Sequence, residues 1–338
     1  MIDLRSDTVT QPTPAMLKAM MAAPVGDDVF GEDPTINELQ ERTAQYLGHE
    51  AGLFVPSGTM ANQIAIKVHT RPGDEVICHH TAHIYNYEGG GVAFNSGCQV
   101  RSVGGERGLI DFNGLAEALQ PTDVHKCPSR LLVAENTANK GGGSCYSVET
   151  LQQMQAWSQQ HGLHFHLDGA RLWNALVAKN QNPQEIGALF NSVSVCFSKG
   201  LGCPVGSVLV GSQGFIDEAR YIRKKMGGGM RQAGYLAAAA IYALDNHVER
   251  LAQDHARASR LEEALQNCNL VARVNPVETN IVIFHTHTEA DARHFMKEME
   301  TAGVKMVAMG TTTLRFVTHL NLSDGNIDAV IKALRQID

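Results

Sequence analysis

Residues 193–206 read VSVCFSKGLGCPVG, an apolar run that ends in a lysine and a glycine-rich turn. The segment VSVCFS (193–198) is short and largely apolar, as expected of a strand buried under helices on both faces. Lysine belongs in water, so Lys199 just past the end of such a strand asks for a reason. Upstream, LHFHLD (163–168) is another strand-like run, and it ends in Asp168. The interval between Asp168 and Lys199 fits one strand–helix–strand unit. In open α/β sheets, ligands sit outside the carboxyl ends of neighbouring strands. The spacing therefore predicts that an aspartate and a lysine converge on one crevice.

The same alternation extends outward from this pair. EVICHH (75–80), QVRSVG (99–104), RLLVAEN (130–136) and GSVLVG (206–211) read as further strands. Between them lie helical patterns such as SVETLQQMQAWSQQHG (147–162), opened by Ser147 as N-cap and closed by Gly162. The sequence thus predicts an α/β fold, a mostly parallel sheet flanked by helices. After about residue 245 the texture changes. A long charged helix, HVERLAQDHARASRLEEALQN, is followed by TNIVIFHT, ADARHFMKEMETAG, LRFVTHL and a last helix. This divides the chain into a large domain, 1–245, and a smaller C-terminal α+β domain, 246–338. The Pro- and Asp-rich first 30 or so residues read as an arm and loop of the large domain.

Composition narrows the function. The chain has 338 residues, 43% of them hydrophobic and 19% charged, with a formal charge of −7. Nothing in that balance calls for nucleic acid or an anionic membrane as partner. The longest apolar run, YLAAAAIYALDN (235–246), is too short and alanine-rich to span a bilayer. Seven scattered cysteines without a C-x-x-C pair read as reduced thiols, and MIDLRSDTVTQ lacks the apolar stretch of a secretory signal. A cytoplasmic enzyme is expected.

A lysine and an aspartate at adjacent strand ends have a specific use. Pyridoxal phosphate needs a lysine for a Schiff base and a carboxylate to keep its ring nitrogen protonated, making the ring an electron sink. It also needs a phosphate cup. PSGTMANQ (56–63) offers one at Gly58 and Thr59, a small-residue turn opening a helix with free N–H groups. A competing reading takes His164, His166 and Asp168, which share one face of a strand, as metal ligands completed by HHTAH (79–83). Two points oppose it. His79 and His80 are adjacent and should point oppositely, and a metal hydrolase has no use for Lys199 or the cup.

The blocks LRSDTVTQPT, VGDDVFGEDP, PSGTMANQ, TAHIYNYE, HLDGARLWNA, SKGLGCPVGS, GGGMRQAG and LRFVTHL, in this order, resemble those of the pyridoxal-phosphate-dependent L-threonine aldolases. The resemblance runs along nearly the whole chain. It implies the aspartate-aminotransferase-like fold (fold type I), with a seven-stranded-type sheet, and retro-aldol cleavage of β-hydroxy-α-amino acids to glycine plus an aldehyde. It implies Lys199 as the cofactor's lysine and Asp168 as the partner of the ring nitrogen. Arg171 and Arg315 would bind the substrate carboxylate with Ser6, Arg171 also lying against the cofactor. His83 would stack over the ring and His125 would lie near the substrate hydroxyl, either being able to take its proton. Arg231 would reach a partner subunit's phosphate, so that a homodimer, within a homotetramer, shares its sites. No metal is implied. Ala138 stands where that family usually has histidine, and Phe30 where tyrosine is usual. An aminotransferase or β-eliminating lyase of the same fold is the alternative, distinguished by its product. A non-catalytic relative would be expected to have lost some of these residues.

Overall fold

The computed structural model describes residues 1–337. Its centre is a seven-stranded sheet built from β1 (Ala51–Val55), β2 (Glu75–His79), β3 (Gln99–Val103), β4 (Ser129–Glu135), β5 (His164–Gly169), β6 (Ser192–Cys196) and β7 (Ser207–Gly211). The spatial order is β1-β7-β6-β5-β4-β2-β3, and β7 alone runs antiparallel to its neighbours. Six of the seven strands fall where the alternation places them. β1, AGLFV, carries no such signal, and its Gly52 is required by packing: a Cβ there would lie 2.6 Å from the Gln40 carbonyl.

The sheet has two distinct faces. Leu132, Ala134, Phe165, Leu167, Val193 and Val195 pack into the main core with Leu151, Met154 and Trp173. Each such aliphatic side chain, fully buried, contributes roughly 1.5–3 kcal/mol. The predicted helix over 147–162 forms as Val148–Gln160, with the Ser147 hydroxyl accepting from the Thr150 N–H and Gly162 at φ 67° past its end. On the opposite face the strands present Glu135, His166, Asp168, Ser192 and Ser194 to the helix Gly58–His69, reached through Asn62 and His69. A face so polar inside a protein has to be hydrogen-bonded throughout.

The second unit is a four-stranded antiparallel sheet ordered Val307–Ala308, Thr313–Val317, Ile281–Thr286, Val271–Val274, covered by the helices Leu251–Gln266, Glu289–Thr301 and Asp324–Leu334. Phe284, Phe295 and Phe316 fill its centre. Here the structure differs from the sequence reading. The arm is not merely a loop of the large domain: Ile2–Asp3 pairs in parallel with Val304–Lys305, and Leu4 is buried in the small core. Residues 14–21 form a helix capped by Thr13. The charged helix begins at Leu251, because His247–Arg250 make the turn from the preceding helix, Gly234–Asn246. Among the described residues no helix is long and apolar enough to cross a membrane.

Candidate active site

β4, β5 and β6 run parallel and in step, with Glu135 paired to Asp168 and Asp168 to Ser194. Neighbouring parallel strands lie about 4.8 Å apart, so Glu135 and Asp168 stand side by side at the carboxyl edge. Burial, and then the charge of Asp168, push the Glu135 carboxyl up to about 7. Glu135 accepts from the backbone N–H of His83 (2.9 Å) and of Asn139 (3.0 Å), which anchors two loops to the strand end.

Asp168 is buried, and among the described residues no lysine or arginine pairs with it. Its Oδ1 accepts from the Ala170 N–H at 3.2 Å and its Oδ2 from Asn62 Nδ2 at 2.9 Å. The same Asn62 amide donates to Glu88 at 2.9 Å, and Gln63 donates to the other Glu88 oxygen at 2.6 Å. Glu88 in turn holds His83 through Nδ1 at 2.9 Å. Burial works to lower the His83 pKa, but the bond to Glu88 and the surrounding carboxylates outweigh it, and the imidazole is held above its usual value. With Nδ1–H donated to Glu88, Nε2 is the free nitrogen.

Lys199 is half-buried past the end of β6, its Nζ 3.1 Å from Cys196 Sγ and its carbonyl accepting from Thr10 Oγ1 at 2.9 Å. Cys196 also floors the turn that opens the helix Gly58–His69. A Cβ on Gly58 would come within 2.6 Å of that sulfur, so this position has to be glycine. Ser57 caps the helix by accepting from the Met60 N–H, which leaves the Gly58 and Thr59 end of the helix turned outward. Thr59 itself is exposed.

The two arginines differ. Arg171 is buried, and its Nε and Nη2 are both taken by Asp7, at 2.7 and 2.6 Å. Burial alone would raise the Asp7 pKa, but the Arg171 charge more than offsets it and the carboxyl is held down to about 2. Arg315 donates from Nη1 to Asn139 Oδ1 and from Nη2 to the Arg5 carbonyl, both at 3.0 Å, while its buried Nε has no partner. Ser6, next to Arg5, turns its hydroxyl to the Thr8 N–H and Oγ1. Of the two arginines, Arg171 is thus held side-on by a carboxylate of its own chain, while Arg315 is bonded only to neutral oxygens.

Two expected residues stand apart. His125 is exposed, bonded to Asp123 at 2.9 Å, on the loop leading into β4. Glu135 sits at the other end of that strand, about 20 Å away at 3.3 Å per residue, so His125 does not reach the cluster of its own chain. Arg231 is half-exposed, held by Asp27 at 2.9 Å and lying over the ring of the exposed Phe30. It too is outside the cluster of its own chain. Ala138 is buried under Gly108, where a Cβ on that glycine would approach it to 2.7 Å.

The metal reading finds a different set from the one the sequence suggested. His83, Glu88 and Asp168 offer ligand atoms within 4.8 Å of one another. His164, His166 and the histidine pair at 79–80 take no part. His164 stacks on His69 and His166 bonds Asn62. His80 lies past the end of β2 with its ring 4.2 Å from that of His79, rather than pointing away from it. Asp7, Asn62, Glu88 and Glu135 all lie in or beside quoted motifs yet were not singled out. Glu135 had a legible signal, an acidic residue ending an apolar strand as Asp168 does.

Does this cluster fit pyridoxal phosphate? Among the described residues it offers a buried carboxylate not paired with any lysine or arginine, a lysine with no carboxylate partner, a helix N-terminus and an arginine with an unpartnered Nε. Those are a donor and acceptor set for a pyridinium, an aldehyde, a phosphate and a carboxylate, so the residues fit.

The fold is that of an α/β protein with a mostly parallel sheet, and the candidate site lies at that sheet's carboxyl edge. The chain belongs to the β-eliminating lyase family, which it matches over residues 3–289. It is 41% identical over 343 residues to the probable low-specificity L-threonine aldolase 2 of Arabidopsis thaliana, covering 99% of this chain and 97% of that one. It is 43% identical over 324 residues to the low specificity L-threonine aldolase of Escherichia coli K12, covering 96% and 95%. The threonine aldolase structure of Leishmania major has the same fold, with a TM-score of 0.86 and 99% of both chains covered at 22% identity.

Proposed function

We propose that the protein is a pyridoxal-phosphate-dependent aldehyde-lyase that cleaves L-threonine, L-allo-threonine and related β-hydroxy-α-amino acids to glycine plus an aldehyde. The observation that carries this reading is the convergence of Lys199, Asp168 and the Gly58 turn at one sheet edge, with an arginine Nε unpartnered beside them. The relatives named above support the substrate class. When bound, the cofactor supplies an electron sink for the carbanion left at Cα.

The protein's own residues do the rest. Lys199 would hold the cofactor's aldehyde, Asp168 its ring nitrogen, and the Gly58–Thr59 helix start its phosphate. Arg315 would grip the substrate carboxylate, braced by Asn139 and the Arg5 carbonyl, with Arg171 Nη1 beside it and Ser6 close by. That grip fixes the Cα–Cβ bond relative to the ring. His83 would stack on the ring and take the β-hydroxyl proton at Nε2, since Glu88 occupies Nδ1. The chain would work as a homodimer, within a homotetramer in the cytoplasm, with Arg231 crossing to the partner's phosphate.

Borohydride reduction and peptide mapping test the assignment. The pyridoxyl label is expected on Lys199 and lost in Lys199→Ala, with L-threonine giving acetaldehyde and glycine. A label on another lysine, or a keto-acid product, would overturn it.

A further inference from the structure

The polar face under the helix Gly58–His69 holds more than the cofactor's partner needs. His166, Asp168, Ser192 and Ser194 lie on that face, His166 level with Ser192 and Asp168 level with Ser194. His69, at the far end of the helix, stacks between His164 and Phe215 at the amino edge of the sheet, in a cleft also lined by His49 and Glu218. From there the contacts run without a gap. His69 Nε2 is 2.8 Å from Ser192 Oγ, and Ser192 Oγ is 2.8 Å from His166 Nδ1. His166 Nε2 is 3.2 Å from Asn62 Oδ1, and Asn62 Nδ2 is 2.9 Å from Asp168 Oδ2.

The direction of each bond can be worked out from the carboxylate backwards. Asn62 faces Asp168 and Glu88, two acceptors, so its NH2 must point to them and its oxygen to His166 and Ser194. An amide oxygen can only accept, so the 3.2 Å contact with His166 is a hydrogen bond only when Nε2 carries the hydrogen. Burial holds the His166 pKa down to about 4, which leaves the ring neutral and Nδ1 an acceptor. The Ser192 hydroxyl must then donate to Nδ1, although the Ser192 carbonyl lies 3.1 Å from the same nitrogen. With its hydrogen committed, Ser192 Oγ accepts from His69 Nε2. Every donor points the same way.

We propose that His69, Ser192 and His166 are positioning residues, a one-way chain of hydrogen-bond donors that crosses the sheet face and, through Asn62, fixes the Asp168 carboxylate for a pyridinium nitrogen. The inference rests on Asp168 facing pyridoxal phosphate, as proposed above. A neutral buried network whose members polarise one another holds its geometry without placing a charge beside the ring. It also connects the ring nitrogen's partner to a solvent-facing cleft on the side of the sheet away from Lys199.

The chain is tested at its far links, neither of which touches cofactor or substrate. Nitrogen-15 NMR of the apoprotein is expected to find the hydrogen of His166 on Nε2, and Ser192→Ala to move it toward Nδ1, where the Ser192 carbonyl waits. Pyridoxal phosphate binding is expected to weaken about 3- to 10-fold in Ser192→Ala and in His69→Phe, which keeps the aromatic stack but loses the donor. His69→Gln, which restores an N–H, should bind as wild type does. In the loaded variants kcat should fall while KM for L-threonine holds, because Arg315 is untouched. A wild-type His166 protonated on Nδ1, or cofactor affinity unchanged in both donor-deleting variants, would overturn the chain. Wild-type protein that binds no pyridoxal phosphate would overturn the functional reading instead, whatever the His166 tautomer.

Discussion

His83, the proposed base, illustrates how one contact would set a residue's task. A free imidazole titrates near ~6.5, but Glu88, buried and 2.9 Å from Nδ1, favours the protonated form of His83. A base must be neutral to accept the hydroxyl proton, so the rate should climb with pH through a value above that of free histidine. Glu88→Gln removes the charge, and the acid limb of the kcat/KM profile should move to lower pH. A limb that stays in place would separate His83 from the proton transfer. Glu135 titrates in the opposite sense for stability. Its folded pKa is raised, so its burial costs nothing below the ordinary carboxylate range and is felt increasingly as pH rises toward about 7. The sequence displayed Lys199 and Asp168 because strand ends and a glycine turn frame them, and Arg315, in mid-strand, only through the family resemblance. It did not display Asn62 or Glu88, whose roles exist only once a helix and a loop fold over the strands.

At the level of elements, the turn from β1 into the helix Gly58–His69 is a tightly constrained joint of the site. Gly58 has an ordinary φ, so its requirement is steric rather than conformational, and the obstacle is one atom, Cys196 Sγ. Gly58→Ala should destabilise the apoprotein by about 1–3 kcal/mol, the usual cost of overpacking, and weaken cofactor retention. Cys196→Ala removes the obstacle, so the double variant should recover part of that loss in a chemical-denaturation cycle. Additive losses would mean that the sulfur is not what excludes the methyl. The parallel strands were legible because burial on both faces leaves an uninterrupted apolar run. β1 was not, since a glycine inside AGLFV dilutes that signal and its necessity comes from Gln40 across the fold. The Ile2–Asp3 strand is too short for any period to register, and its partner, Val304–Lys305, is near the other end of the chain.

Across the whole molecule, the arm is one of the ties between the two units, beside direct bonds such as Arg315–Asn139 and Arg107–Glu278. Asp7 binds Arg171 from the large domain and accepts from Asn280 of the small one at 3.1 Å, all three buried. Removing it strands a buried guanidinium, so Asp7→Ala should cost about 3–5 kcal/mol in denaturant unfolding at neutral pH. The native carboxyl's low pKa adds stability that is present above pH ~4 and fades as pH falls toward about 2, so the variant's deficit should shrink in acid. A deficit independent of pH would assign the loss to packing. The quaternary reading is tested at the same scale. Arg231 is half-exposed against Asp27 and Phe30 and bonds to none of the cluster's residues. Arg231→Ala should weaken cofactor retention while leaving Lys199 reactive. Lys199→Ala and Arg231→Ala proteins, each inactive, can be dissociated, mixed and reassociated. If Arg231 serves the partner's site, a hybrid dimer places both lesions in one site and none in the other. Random pairing makes about half of the dimers hybrids and leaves roughly a quarter of all sites intact. Activity near that fraction of wild type is expected. Mixed dimers of proven composition that remain as inactive as their parents would return Arg231 to its own subunit, since then every site carries one lesion.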